Sequence, residues 1–339
     1  MSSRDSNITI EDVAAAASVS VATVSRALRG LPNVAPSTRD RVLDAASRLE
    51  YRPDPNASRL ARGRSGAVAV AIPMLNGWYF SQVVAGIEAV VKESGYDLLV
   101  HGVGDEEARL RFLSGRTPLG NRVDGLVMVD LRLEPDDALA LAEKGVVAST
   151  VGFRTSQYPS VTLDDIAVGR LAVEYLLDLG HRRIGIISGI PDDALRFVVP
   201  DRRRLGYLDA LNAAGIEADP ALESVGDFSI EGGAEAMVSL MKLDEPPTAI
   251  FAMSDEMAFG AIQTAQSMRL SVPDDVSIVG VDDHDLSQVL NLTTVKQRVI
   301  EHGAVAARLL LNTIDNKDEA PVHHLAQFEL VVRGTAISA

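Results

Sequence analysis

At 339 residues the chain is too long for one ordinary domain, and a hydrophobic content of 47% with a mean hydropathy of +0.11 can furnish a sizeable core. With no cysteine, disulfides and thiolate metal sites are excluded, which agrees with a reducing compartment. The formal net charge of -15 argues against loose attachment to a polyanion, but the charge is unevenly placed. Residues 1–64 carry ten Arg against seven Asp and Glu, a local +3, which leaves 22 bases against 40 acids in residues 65–339. That asymmetry suits a small nucleic-acid module joined to a larger acidic domain, because screening beyond about 10 Å lets each face act locally. MSSRDSNITIEDV sets acids where a signal peptide is apolar, and no apolar run approaches the roughly 20 residues that span a bilayer, so a cytoplasmic protein is expected.

In chain order, Thr9 precedes an apolar pattern at Ile10, Val13, Ala14 and Ala17, and Asp12 stands where a capping-box carboxylate reaches back. A first helix is predicted over about 10–17, with Ser18-Val19-Ser20 as the turn. Ser20 caps a second helix, Val24 and Leu28 inward and Val21, Ala22, Ser25, Arg26 and Arg29 outward, until Gly30 ends it. A third helix starts at Pro36 and runs to about Glu50 with Val42, Leu43, Ala46 and Leu49 inward. Three short helices around one small core read as a helix-turn-helix, although a plain interaction bundle has the same periodicity. In the first reading the start of the second helix enters the major groove. Ser20, Val21, Ala22, Ser25 and Arg26 are then the base-side residues, Arg26 forking onto a guanine and the small methyls meeting thymine. Thr9, Thr23, Arg29 and Tyr51 complete the candidate DNA-facing set.

The run ITIEDVAAAASVSVATVSRAL resembles the DNA-binding signature of the LacI/GalR family of bacterial transcription regulators: Asp12-Val13-Ala14, the Val19-Ser20 turn and Thr23-Val24-Ser25-Arg26 stand at the family's spacing. Two positions depart from it. Ala35 replaces the usual Ser or Thr cap of the third helix, at a cost of about 1 kcal/mol, and Ser18 replaces a turn glycine, which is expected to require a negative φ. YRPDPNASRLARGRS, residues 51–65, reads as a linker by composition. The resemblance implies instead a hinge helix that folds on DNA, Leu60 wedging into the minor groove with Ala57 and Arg59 beside it. Seven residues alone in water would be mostly unfolded, which suits a switch.

From Gly66 onward, β-rich runs (GAVAVAIP, YDLLVHGV, DGLVMVDL, VVASTVG, RIGIISG, AIFAMS, VSIVGVDD) alternate with amphipathic helical ones. Nearly continuous apolar strands separated by helices mean parallel sheets covered on both faces, and the span calls for two α/β lobes with ligands beyond the carboxyl ends of the strands. Trp78, the single tryptophan, follows the first strand in a loop and is read either as a stacking surface for a sugar ring or as simple packing. Gln297 falls at a lobe crossover, within reach of a ligand. The resemblance implies a two-lobed effector domain akin to periplasmic sugar-binding proteins. It assigns ligand contact to Arg203, Phe228, Asp282 and the pair Ser254-Asp255, where the family usually has Asn-Asp.

Chemistry of other kinds is weakly signalled. The run Asp282-Asp283-His284-Asp285 reads as a solvated loop rather than a metal site, and His323-His324 lies in a strand with its rings on opposite faces. No triad or nucleophile elbow is present, so neither an enzyme nor a cofactor is expected.

The expected architecture is α/β: a helix-turn-helix domain over 1–55, a hinge helix and linker over 56–65, and an effector-binding and dimerisation domain over 66–339 with two parallel sheets. The N-lobe spans about 66–163 and 296–324, the C-lobe about 164–295 and 325–339. The implied function is a repressor released from a palindromic operator by a sugar-like effector. The alternative keeps DNA binding and takes a nucleobase or a phosphoprotein as corepressor. A solute-binding protein is disfavoured by residues 9–30 and the missing export signal. Two copies are expected, because one +3 module reaches few phosphates whereas specific affinities of about 10⁻⁸ to 10⁻¹¹ M normally need two half-sites. With no leucine heptads after LAQFELVVRGT, a homodimer is favoured over a coiled-coil tetramer.

Overall fold

The computed structural model describes residues 8–28, 30–51, 64–113, 122–190, 197–316 and 319–339. Arg29, Ala57, Arg59 and Leu60 of the candidate DNA-facing set lie outside these residues. The chain divides into two compact units, Met1–Gly66 and Ala67–Ala339.

In the first unit α1 (Ile10–Ala17), α2 (Val21–Leu28) and α3 (Pro36–Arg48) close on Val13, Ala14, Ala17, Val24, Ala27, Val42, Ala45 and Ala46. The Thr9–Asp12 capping box forms in both directions, and Ser20 caps α2 by accepting from the Thr23 N–H at 3.2 Å. Ala35 leaves α3 without a side-chain cap. Two expectations fail here. Ser18 has φ +53° and ψ +48°, not a negative φ, because it is the left-handed cap whose N–H returns to the carbonyls of Ala14 and Ala15; a turn this tight after α1 needs that conformation whatever residue supplies it. Leu43 is 47% exposed, and Ala45 is buried in its stead. The stripe that packs is Val42, Ala45, Ala46 and half-buried Leu49, at spacings of three and four, and Leu43 lies about 100° round the helix from it.

In the second unit β1 (Ala67–Ile72), β2 (Asp97–Gly102), β3 (Gly125–Val129), β4 (Ala148–Val151), β5 (Ser160–Thr162) and a late strand β11 (His323–Leu325) form one sheet, ordered β11-β5-β4-β3-β1-β2 and parallel throughout. The other contains β6 (Ile184–Ser188), β7 (Glu223–Val225), β8 (Ala249–Ala252), β9 (Ser277–Asp282), β10 (Thr293–Gln297) and β12 (Phe328–Val331), ordered β12-β10-β9-β8-β6-β7, with only β12 antiparallel. Central strands are buried end to end, as β1, β3, β6, β8 and β9 show, because helices cover both faces. The chain passes between the sheets after Thr162, after Gln297 and after Leu325.

The covering helices are α4 (Trp78–Glu93), α5 (Glu106–Leu113), α6 (Pro135–Glu143), α7 (Asp165–Asp178), α8 (Val199–Ala213), α9 (Ile230–Met241), α10 (Asp255–Ser267) and α11 (Val299–Asp315). α4 and α11 cross so closely that a Cβ on Gly86 would lie 1.9 Å from the Ile300 carbonyl oxygen, and one on Gly303 2.0 Å from that of Val83. Glycines at both positions let these backbones touch, which locks α11 against the first lobe.

Candidate functional site

A cavity between the two sheets offers about 120 Å³ to the centres of water molecules, room for a small ligand since one water needs roughly 10–15 Å³ by that measure. It opens at the carboxyl ends of the strands. Its walls are largely apolar, with Phe80 of α4 facing Phe197 at 6.3 Å between ring centroids and Phe228 also in the lining. Phe228 and Asp227 both take left-handed backbone (φ +49° and +48°), and the Phe228 ring rests where a Cβ on Gly189 would meet it at 2.3 Å. Holding two consecutive non-glycine residues there costs energy that the surrounding packing must supply.

The polar groups of the cavity centre on Arg203. Its guanidinium, 4% exposed, donates from Nε to Asp165 Oδ1 at 2.9 Å and from Nη1 to the Met253 carbonyl. Asp165 is the first residue of α7, just past the crossover at Thr162. Asp282, at the end of β9, accepts from Gln297 Nε2 at 2.5 Å, so these two residues reach the cavity as one hydrogen-bonded pair. Asp130 follows β3 with φ +49°, its carboxylate seated on the bare Cα of Gly152, where a Cβ would lie 1.7 Å from Oδ1. Burial, with the Asp165 charge adding to it and Arg203 opposing, pushes the Asp130 carboxyl up to about 7. Asp165 and Asp282 are raised for the same first reason, and Arg203 pulls both back.

Arg203, Phe228, Ser254, Asp282 and Gln297 therefore meet around one space, as the sequence reading grouped them, and Ser254 also caps α10 by accepting from the Met257 N–H at 3.3 Å. Two other candidates are corrected. Trp78 is not in a loop and does not line the cavity: it opens α4, its ring lies on His284 at 4.7 Å and its Nε1 donates to Asp285 at 3.2 Å, joining one lobe to the other. Its neighbours Tyr79 and Phe80 face the cavity instead, because one step of helix turns the side chain by about 100°. Asp255 is wholly buried and spends its carboxylate on the protein, accepting from the His284 N–H at 2.9 Å, Ser287 Oγ at 2.5 Å and Thr294 Oγ1 at 2.6 Å. It pins the loop after β9, while Ser254 faces the cavity.

Asp130, Asp165, Tyr79, Phe80, Phe197 and His302 were missed from sequence. Asp130 had a usable signal, since it directly follows the apolar strand β3 at its carboxyl end; Asp165 lies beyond the short, mostly polar β5 and had none. The run Asp282–Asp285 diverges: Asp283 pairs with Lys296 at 2.9 Å and Arg333 at 2.6 Å while Asp285 holds Trp78. Among the described residues no group of three His, Asp or Glu is placed to hold a metal. None of their helices is long and apolar enough to cross a membrane.

On the first unit, Ser20, Val21 and Ala22 stand exposed at the start of α2, with Thr23, Ser25 and Arg26 half-buried beside them. Arg26 is steered by its own Nη2, which donates to the Pro32 carbonyl at 2.8 Å. Thr9 is exposed and Tyr51 half-buried against the three-helix core.

A helix-turn-helix followed by a two-lobed binding domain with a cavity at its strand ends defines a ligand-binding DNA reader. Residues 9–54 match the family of bacterial regulatory proteins, lacI family, and residues 173–336 match a periplasmic binding protein-like domain. The chain is 37% identical over 309 residues to catabolite control protein A of Priestia megaterium, covering 90% of this chain and 92% of that one. It is 34% identical over 332 residues to the HTH-type transcriptional repressor CytR of Escherichia coli K12, covering 96% of each. Among solved structures, the lac repressor dimer bound to operator and the anti-inducer ONPF superimposes with a TM-score of 0.84 at 30% identity, over 97% of this chain and 99% of that one. The CelR–cellobiose complex does so with 0.70 at 32% identity over the same shares. This chain belongs to the LacI family and is a DNA-binding transcriptional regulator.

Proposed function

We propose that the protein acts in the cytoplasm as a homodimeric repressor on a palindromic operator and that a small sugar-like effector in the cavity releases it. The observation that carries the effector reading is the cavity itself: Asp282, Gln297, Ser254 and Arg203 present hydrogen-bonding groups among the aromatic rings of Phe80, Phe197 and Phe228, the combination that suits a molecule with polar edges and apolar faces. Relatives crystallised with cellobiose and with ribose support it, and the operator-bound lac repressor dimer supports two copies on DNA. Ser20, Val21, Ala22, Ser25 and Arg26 read base edges, and Thr9, Thr23, Arg29, Tyr51, Ala57, Arg59 and Leu60 complete the contact.

The test is an operator recovered by unbiased selection and titrated with the protein at several salt concentrations, with and without ribose, glucose and cellobiose. The expected result is a palindromic preference that weakens when a sugar is present, by a coupling of about 1–3 kcal/mol. An affinity indifferent to every sugar removes the effector reading, and a site without two-fold symmetry removes the dimer. Tighter binding with ligand would make the effector a corepressor.

A further inference from the structure

Trp78 is the first residue of α4, and Gly77 at the cap position has no side chain to accept a bond, so the helix opens with N–H groups that need acceptors from elsewhere. The second lobe provides one. The Glu256 carboxylate, in the first turn of α10, accepts from the Trp78 backbone N–H, and an acid at this end of a helix is also favoured by the helix dipole. The side chain adds two contacts to the same lobe: its ring lies on that of His284 at 4.7 Å, and its Nε1 donates to Asp285 at 3.2 Å. One residue of the first lobe is thus gripped at backbone and side chain by three residues of the second.

Both sides of this grip are held in place by contacts of their own. The His284 N–H donates to Asp255 at 2.9 Å, its Nδ1 accepts from the Leu286 N–H at 2.9 Å, and Phe259 stands edge-on to its ring at 5.2 Å. Asp283 beside it is tied to Lys296 and Arg333. Trp78 is fixed by α4, whose backbone touches α11 at Gly86 and Gly303. Groups already ordered lose little freedom on meeting, so this contact keeps more of its attraction than the same residues on two mobile loops would. It also stands where it can control the cleft, since Gly77 and Glu256 line the cavity. β1 begins at Ala67, directly after the first unit ends, and α4 follows β1 in the same lobe. A rotation of that lobe therefore displaces the point at which the chain leaves for the DNA reader.

We propose that Trp78 is a clasp between the lobes, with His284, Asp285 and Glu256 as its catch, and that its strength sets how readily the lobes part and, through that, the affinity for operator. An effector lying between the lobes and touching both favours the arrangement that the clasp favours, so the two reinforce each other. That last step rests on the cavity being the effector site; the clasp and its hold on DNA binding do not.

The experiment uses the full chain, in which Trp78 is the single tryptophan and therefore the sole source of indole fluorescence. Acrylamide quenching is measured on wild type, Asp285→Ala and His284→Ala, with Gln288→Ala, exposed on the same loop, as control. Both catch variants should raise the quenching constant about twofold or more as the indole is released, and the control should not. Affinity for the selected operator, without sugar, is then measured for Trp78→Ala, Asp285→Ala and the double variant. Each single change should shift it by about threefold or more in the same direction, and the double should go no further than the larger single, because either change opens the same clasp. Whichever of ribose, glucose and cellobiose alters operator binding should bind these variants more weakly, and its effect on operator affinity should run opposite to theirs.

Equal quenching in wild type, Asp285→Ala and His284→Ala overturns the clasp. Operator affinity unchanged by Trp78→Ala and Asp285→Ala, or effects that simply add in the double variant, overturns its control of DNA binding. If none of the three sugars alters operator binding, the effector reading above fails, while the quenching and double-variant results still decide the clasp.

Discussion

Arg203→Met is the perturbation that best separates structure from recognition in the cavity. The Arg203–Asp165 contact is 2.9 Å, and its two side chains are 5% and 6% exposed. Removing the guanidinium leaves a buried carboxylate and a bare Met253 carbonyl, and breaking a buried pair in this way costs about 3–5 kcal/mol. Because burial already raises the Asp165 pKa and Arg203 is the group restraining it, losing Arg203 pushes the orphaned acid further toward its protonated form, which caps the loss. Adding Asp165→Asn removes the charge altogether and should recover about 2 kcal/mol or more, an interaction energy well outside the additivity error for independent sites. Urea unfolding at pH 7 and fixed protein concentration, run on wild type, both single variants and the double variant, measures it. A loss below about 1 kcal/mol for Arg203→Met, or strict additivity in the cycle, would refute the claim that this pair holds the two helices α7 and α8 around the cavity.

Asp130→Asn tests the raised carboxyl: a native pKa near 7 against an unfolded 3.8 means the folded state holds the extra proton between those values, so stability falls as pH rises through that window. The wild type should therefore lose ground to Asp130→Asn as pH rises from about 4 to about 7 in paired melts, and parallel curves would show that the carboxyl is not perturbed. Ser18→Gly should stabilise the amino-terminal unit by up to about 1 kcal/mol, since a φ of +53° strains any side chain more than it strains glycine, whose greater freedom in the unfolded chain offsets part of the gain; a lower unfolding midpoint would contradict the left-handed cap. Arg26→Ala should cost about 1–3 kcal/mol on the selected operator and relax the preference at one base pair in each half-site, measured by anisotropy across a set of single-base operator variants, whereas a uniform loss over all of them would reassign Arg26 to the phosphate backbone.

What local chemistry dictates was legible in the chain. The Thr9–Asp12 box, the Ser20 cap and the alternation of apolar strands with helices depend on residues a few positions apart, so spacing alone carries them. The family resemblance pointed to Arg203, Phe228 and Asp282, and the lobe crossover to Gln297; the fold sets all four around one cavity. Tertiary structure decided the rest, because a cavity wall is assembled from strand ends and crossovers far apart in sequence. Trp78 and Tyr79 are neighbours, yet only Tyr79 faces the cavity, a choice made by how α4 is rotated against α11. Asp255 looked like a ligand contact until the loop after β9 folded over it and took its carboxylate. Leu43 lost its place in the core to Ala45 because two other helices set the phase of the buried stripe. His302, silent in the sequence, lines the cavity only because α11 packs closely on α4, where Gly303 lets the two backbones approach.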